Sequence, residues 1–230
     1  MAKNKEKTED KIVAVEEALG RGEQFIEKNK NLLFYILLGI LVVIGGYFGY
    51  KKYISAPKER EAQAKMFPAE QYFAMDSVKY AINGDGQNPG FQEIIDEYGS
   101  TKSGNLARYY LGICYLKTGK FQDAIDCLED FKSDDMFVGP LALGAIGDAY
   151  MELGNTDKAI DYYIKAADKN DNNLTAPMFL KRAGQSYEML NNYAKAVEMY
   201  TRVQKEHFRS TEGRDIEKYI ARAKELGNIK

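Results

Sequence analysis

The feature that most constrains this chain is an uncharged run of nineteen residues, 32–50, with lysines at both ends. As an α-helix the run would extend about 28 Å, close to the roughly 30 Å hydrocarbon core of a bilayer. Backbone groups in lipid must be satisfied within the segment, which a helix does. Aromatic residues near both ends are typical of membrane interfaces: Phe34, Tyr35, Tyr47, Tyr50 and Tyr53. The run therefore predicts one transmembrane helix.

The residues before this run decide whether it is a cleaved signal or an anchor. Residues 1–31 contain several acidic side chains, whereas a signal peptide begins with a short basic region, and no small-residue cleavage motif precedes Lys51. We therefore expect a retained anchor. Gly45 and Gly49 form a G-x-x-x-G motif. This motif predicts contact with another membrane helix, although incidental glycines are also compatible with it.

The tail before the membrane, residues 1–31, is charged and weakly amphipathic. Ile12, Val15, Leu19 and Ile26 recur at near-helical spacing within residues 8–30. Such a stripe is typical of a helix that lies on a membrane surface or docks on a partner. A partly disordered tail explains it equally well, because the stripe is thin and glycines interrupt it.

Three segments after residue 104 repeat one pattern: GICYLKTGKFQDAIDCL from Gly112, GDAYMELGNTDKAIDYY from Gly147 and GQSYEMLNNYAKAVEMY from Gly184. Each has Tyr three residues after its first glycine, Ala twelve after it and a large residue sixteen after it. This pattern resembles the tetratricopeptide repeat, which implies antiparallel helix pairs stacked into a solenoid. We therefore predict an all-α fold, with one transmembrane helix followed by a tetratricopeptide solenoid.

The resemblance also predicts the domain boundaries. Three repeats occupy residues 105–211, divided at about 105–139, 140–176 and 177–211. A capping helix follows at 212–230, with an apolar stripe of Ile216, Tyr219, Ile220 and Ala223. The helical pattern within residues 51–100 predicts a membrane-proximal, degenerate helical pair.

Single residues within these segments predict where helices turn or break. Gly119, Gly154 and Asn191 lie where the first helix of each repeat ends, in the left-handed conformation of helix caps. Within residues 51–100, Pro68 should kink or divide the helix.

Composition and motifs exclude several functions. The 32 basic and 34 acidic side chains give a net charge of −2, so no basic excess favours nucleic acid. The only histidine, His207, has no nucleophile motif near it and predicts a surface or loop residue. Cys114 and Cys127 match no zinc spacing and predict free, buried thiols. No phosphate-binding glycine motif is present. We therefore predict a binding protein with no enzymatic activity, cofactor, metal or small-molecule substrate.

In the tetratricopeptide family the first helix of each repeat lines an inner groove. The resemblance implies that partner proteins bind along Leu106, Tyr109, Tyr110, Ile113, Leu116, Leu141, Met151, Met178, Lys181 and Arg182. Apolar, aromatic and methionine-rich surfaces suit varied apolar segments. An alternative is that the helices of residues 57–98 fold over Leu106, Tyr109 and Ile113 and bury them.

A short tail, one membrane helix and a tetratricopeptide domain together resemble the YfgM-like ancillary subunits of the SecYEG protein translocon. That resemblance implies an inner-membrane protein with a cytoplasmic N-terminus and periplasmic repeats. Translocon subunits and nascent or unfolded chains are its expected partners, as for an ancillary subunit, a holdase or a chaperone-like adaptor. Within twenty residues of the run, five basic residues follow it and three precede it, which alone favours the opposite orientation. The alternative function is a structural adaptor for cell-envelope assembly that does not contact nascent chains.

Overall fold

The apolar run is helical in the computed structural model, which describes residues 27–32 and 34–230. Helix α1 (27–50) belongs to a helical stretch, Glu27–Ala74, that is long and apolar enough to cross a membrane by length and composition. A Cβ added at Gly45 or Gly49 would meet no other described residue within 4 Å. The predicted amphipathic segment at 8–30 lies, as far as residue 26, outside the described residues.

The chain divides into two structural units, Met1–Pro57 and Lys58–Lys230. A π-helical segment, Lys51–Ser55, follows α1. The described part of the chain beyond it is helical, without strands. Its helices are α2 (Ala56–Ala74), α3 (Val78–Asn83), α4 (Phe91–Tyr98), α5 (Lys102–Lys117), α6 (Phe121–Glu129), α7 (Val138–Glu152), α8 (Thr156–Lys169), α9 (Thr175–Met189), α10 (Tyr193–Glu206) and α11 (Thr211–Leu226).

Three helical hairpins, α5–α6, α7–α8 and α9–α10, contain the three repeated segments that begin at Gly112, Gly147 and Gly184. The exact domain boundaries stay a prediction. A glycine of each first helix faces a large side chain of the second, in the pairs Gly112–Leu128, Gly147–Tyr163 and Gly184–Tyr200. A Cβ at Gly147 would lie 2.7 Å from Cε1 of Tyr163, closer than side chains tolerate. Glycine is therefore required for the two helices to cross this closely.

The turns inside the hairpins confirm the predicted caps. Gly119 and Gly154 have φ values of +74° and +75°, and Asn191 has +56°. Apart from glycine, asparagine is the residue type that best tolerates this left-handed backbone, because its short polar side chain can form a local hydrogen bond.

Bonds between repeats recur at a separation of 34 residues. They join Arg182 to Asp148, Arg202 to Asp168, Arg222 to Glu188 and His207 to Asn173. This spacing is slightly shorter than the 35 and 37 residues that separate Gly112, Gly147 and Gly184, so each bond links neighbouring layers of the solenoid at a similar but not identical position.

His207 corrects a sequence-based expectation. It lies at the C-terminal end of α10, as a loop histidine would, but its side chain is buried, with 3% of its surface exposed. Its Nδ1 lies 3.2 Å from Oδ1 of Asn173, and its Nε2 lies 3.4 Å from Oδ1 of Asp171. The loop between α8 and α9 covers it, and that contact is invisible in the local sequence.

The segment predicted as one degenerate pair folds as three helices, α2, α3 and α4. Their apolar residues, Met66, Ala69, Ala81, Ile82, Phe91 and Ile94, form one core with Ala107, Leu111 and Cys114 of α5. Helix α2 is not divided at Pro68. Glu59 of α2 accepts hydrogen bonds from the backbone N–H groups of Lys102 (2.6 Å) and Ser103 (3.1 Å), which begin α5.

The last helix, α11, closes the other end of the solenoid. Ile216 and Ala223 are buried, and Tyr219 and Ile220 pack against the same core. Charged side chains such as Asp215 and Lys218 occupy its exposed face. A polar outer face is what a solenoid cap requires.

Candidate partner-binding groove

The first helices of the three repeats line two adjoining pockets. The larger, about 700 Å³, is formed mainly by Leu116, Phe121, Met151, Glu152, Gln185 and Met189. The smaller, about 210 Å³, is formed by Tyr109, Ile113, Leu141, Ala145, Met178 and Phe179. Asp148 and Arg182 line both. Together these side chains make a groove of mixed apolar and polar residues. Asp148 and Arg182 lie where the pockets meet, and Lys117 and Glu152 also line the larger pocket.

Seven of the ten predicted groove residues line these pockets: Tyr109, Ile113, Leu116, Leu141, Met151, Met178 and Arg182. The other three lie elsewhere. Leu106 and Tyr110 pack against the core formed with α2–α4, and the Tyr110 ring stacks on Phe91 at a centroid distance of 5.2 Å. The ammonium group of Lys181 lies over the ring of Tyr219, 4.6 Å from its centroid.

The alternative that the helices of residues 57–98 bury Leu106, Tyr109 and Ile113 agrees with the structure only in part. Leu106 and Tyr110 pack against the core that α5 shares with α2–α4, whereas Tyr109 and Ile113 pack against a different core, formed by residues of α6 and α7. Tyr109 contacts Phe131, with ring centroids 5.5 Å apart, and stays half-buried. The partner-binding role of all ten residues stays a prediction.

Arg182 of α9 and Asp148 of α7 form the charged pair. Nη1 of Arg182 donates to Oδ1 and Oδ2 of Asp148, at 2.5 and 2.6 Å. Tyr163 of α8 donates its hydroxyl to Oδ1 at 2.6 Å. Burial, together with this bond, raises the pKa of Tyr163 above its ordinary value. The tyrosine therefore stays a neutral donor at physiological pH.

The guanidinium of Arg182 also lies against two aromatic rings. Its carbon is 5.7 Å from the Phe179 centroid and 6.0 Å from the Tyr163 centroid. Both rings are buried. The contacts with these two buried rings and the pairing with Asp148 position the guanidinium within the groove.

The groove also contains residues outside the predicted ten, among them Asp148, Tyr163 and Phe179. Asp148 and Arg182 lie 34 residues apart, close to the length of a repeat, and an acid and a base at such a separation are a detectable signal in a repeat sequence. The sequence indicates Phe179 only weakly, through Gly144, because a glycine within a helix can mark the close approach of another side chain. In the structure a Cβ at Gly144 would overlap the Phe179 ring.

Other chemistry is limited in the described residues. They contain no group of three or more histidine, cysteine, aspartate or glutamate side chains able to hold a metal ion. Both cysteines are free thiols, Cys114 buried and Cys127 half-buried. Burial raises the pKa of each to about 11, which keeps the thiols protonated and unreactive.

Comparisons with known proteins agree with this geometry. Models of the tetratricopeptide repeat match residues 106–135 and 145–207. No curated protein sequence matches the chain significantly.

Among solved structures, a Podosopora anserina protein assigned as a kinesin light chain, with nearly identical TPR-like repeats, is similar in fold. Its TM-score is 0.55 at 13% identity, covering 74% of this chain and 88% of that one. A point variant of it gives 0.55 at 14% identity, with the same coverage. Proteins built from such repeats are generally scaffolds without catalytic activity. Residues 106–135 and 145–207 of this chain are therefore tetratricopeptide repeats, which imply a scaffold for protein–protein interaction.

Proposed function

We propose that this protein is a membrane-anchored scaffold that holds segments of partner proteins in the groove of its repeats. It would act as an ancillary subunit of a protein translocon or as a periplasmic holdase. The observation that carries the proposal is the groove, where seven predicted residues from three repeats meet in two adjoining pockets.

The chemistry of the pockets supports a holding role. Met151, Met178 and Met189 come from two successive first helices and line the groove. Methionine side chains are flexible and polarisable, so a surface rich in them accepts apolar segments of varied shape. An unfolded or emerging chain presents such segments.

The candidate span supports attachment to a membrane, which in this proposal is the inner membrane. In this proposal the cytoplasmic tail is 1–31, the membrane helix 32–50 and the membrane-proximal helices 51–100. The repeats, 105–211, and the cap, 212–230, lie in the periplasm. Gly45 and Gly49, which face open space, are the proposed contact with a translocon helix.

Crosslinking of the full chain in its native membrane tests the proposal. We expect translocon subunits at near-stoichiometric levels, and nascent or unfolded chains crosslinked to the groove. Leu116→Glu should abolish the second product, because it puts a charge in the larger pocket. The matched control is Leu174→Glu, which changes an exposed leucine that lines neither pocket.

Two results would contradict the proposal. Recovery of cell-envelope assembly proteins in place of translocon subunits would support the adaptor function instead. Equal loss of client crosslinks in Leu116→Glu and Leu174→Glu would show that the groove is not the binding surface.

A further inference from the structure

A further cavity, of about 570 Å³, lies outside the groove, where α5 begins and α6 ends. Three basic side chains line it, Lys102, Arg108 and Lys132, with one acid, Asp130, and its other lining residues are uncharged. The two groove pockets, by contrast, are lined by as many acidic as basic side chains. In a chain whose net charge is −2, this basic cavity concentrates positive charge and attracts anions.

The bonds around the basic cavity leave its positive charges available. Nη1 of Arg108 donates to the backbone carbonyl of Gly99 at 2.9 Å, which positions the guanidinium. The side chain of Asn105 donates to the carbonyl of Lys132 and accepts from its N–H, at 2.7 and 3.1 Å, which fixes the backbone there. The ammonium groups of Lys102 and Lys132 form no hydrogen bond or ion pair with any described residue, and both side chains are exposed.

The nearby acids offset this charge only in part. The carboxylate of Glu59 accepts from the N–H groups of Lys102 and Ser103 and from the hydroxyl of Ser103. It is therefore committed to the start of α5, where the positive end of the helix dipole compensates its charge. Asp130 is the one acid among the described lining residues, so the cavity keeps two surplus positive charges.

The basic cavity is also tied to the segment that follows the membrane run. Glu59, which bonds to the start of α5, comes nine residues after Tyr50, the last residue of that run. Nine residues span at most about 32 Å, so the chain keeps the start of α5 near the membrane surface whichever way the repeats are oriented. Residues 51–61 themselves contain four basic and two acidic side chains.

We propose that the basic cavity docks on anionic phospholipid headgroups of the membrane that anchors the chain. This inference rests on the membrane anchor of the proposed function and not on its groove. Phosphate oxygens accept hydrogen bonds and carry negative charge, which suits the guanidinium of Arg108 and the ammonium groups of Lys102 and Lys132. An anionic bilayer attracts basic side chains close to its surface, and the short connection to the anchor keeps these three within its reach.

The absence of tryptophan from the sequence gives this inference a direct test, because one introduced tryptophan is the only one in the chain. Phe131→Trp places it between two lining residues, Asp130 and Lys132, and keeps an aromatic ring there. The full chain is reconstituted in nanodiscs of phosphatidylcholine alone or mixed with phosphatidylglycerol. Both kinds of disc contain the same fraction of phosphatidylcholine with a nitroxide on its headgroup, which quenches tryptophan at short range. We expect stronger quenching in the phosphatidylglycerol discs at low salt, and loss of that difference at high salt.

Charge variants in the Phe131→Trp background test whether the cavity makes the contact. Lys102→Gln combined with Lys132→Gln should lower the ratio of docked to undocked protein about 25-fold, or about fivefold for each lysine. The matched control is Lys195→Gln combined with Lys205→Gln, which removes two exposed charges of α10 outside the cavity and should leave quenching unchanged. Asp130→Asn removes the lining acid and should increase docking. Circular dichroism of each variant verifies that the repeats remain folded.

Several outcomes would overturn the inference. Equal quenching in the two kinds of disc would do so, and so would equal effects of the two double variants, because net charge alone would then explain the contact. Equal quenching together with a higher melting temperature in inorganic phosphate would indicate a site for free phosphate instead.

The same experiments separate this inference from the proposed function. Failure of the full chain to enter nanodiscs would overturn the anchor and both proposals with it. Equal quenching of a chain that does enter would overturn the docking alone, since client crosslinks that are lost in Leu116→Glu would still identify the groove.

Discussion

A close approach between neighbouring repeats lies where Gly144 of α7 meets Phe179 of α9. A Cβ at Gly144 would overlap three ring carbons of Phe179, whose side chain is only 1% exposed. Gly144→Ala should therefore destabilise the solenoid. Overpacking of a core that cannot yield costs up to about 3 kcal/mol. The better helix propensity of alanine returns about 1 kcal/mol.

The expected net loss is thus about 2 kcal/mol, out of a stability that is typically about 5–15 kcal/mol. For a unit of this size that lowers the melting temperature by roughly 4–8 °C. Circular dichroism during thermal and urea unfolding of the full chain in mild detergent measures this loss of stability and the fall in melting temperature. A helix in an apolar environment keeps its backbone hydrogen bonds, so we expect the membrane helix to stay folded in detergent and the transition to report the repeats.

A double-mutant cycle identifies the cause of the loss. Phe179→Leu alone removes ring volume and should also destabilise the protein. Combined with Gly144→Ala it should cost less than the sum of the two, because the methyl group then fills space that the ring vacates. A Gly144→Ala protein as stable as the wild type, or more stable, would refute the close approach, since helix propensity alone would then decide the result.

Three further perturbations have expected outcomes of their own. Glu59→Gln weakens the charged cap on the first two amides of α5 and should cost about 1 kcal/mol, seen as faster hydrogen exchange at the start of that helix; unchanged exchange would show that the cap is unimportant. Tyr109→Glu should abolish binding but also lower the melting temperature more than Leu116→Glu, because both residues pack against the same core and Tyr109 also contacts the rings of Tyr110 and Phe131; equal melting temperatures would contradict that difference. Burial raises the pKa of Cys114 from 9.0 to about 11, so the unfolded thiol loses its proton first as pH rises. Stability should therefore fall between pH 9 and 11, by at most about 1.4 kcal/mol per pH unit from this group, and Cys114→Ala should remove that part.

Local patterns in the sequence determined most of the architecture. The uncharged run, the register of the repeats and the left-handed caps at Gly119, Gly154 and Asn191 depend on neighbouring residues along one helix or turn. Close crossings were predictable for the same reason, because each requires a small residue at a fixed offset from its partner. The repetition strengthened each of these predictions, because the same residue pattern occurs in three copies.

Tertiary structure alone decided which side of each first helix stays open. Tyr109 and Tyr110 are adjacent in sequence and similar in chemistry, yet one lines a pocket and the other stacks on Phe91. Neighbouring residues on a helix point about 100° apart, and the helices that cover Tyr110 come from residues 57–98, which lack the repeat pattern. The burial of His207 and the pairing of Arg182 with Asp148 likewise depend on chain segments about one repeat away. Local sequence specifies helices and turns, but the exposure of a side chain depends on distant segments that pack against it.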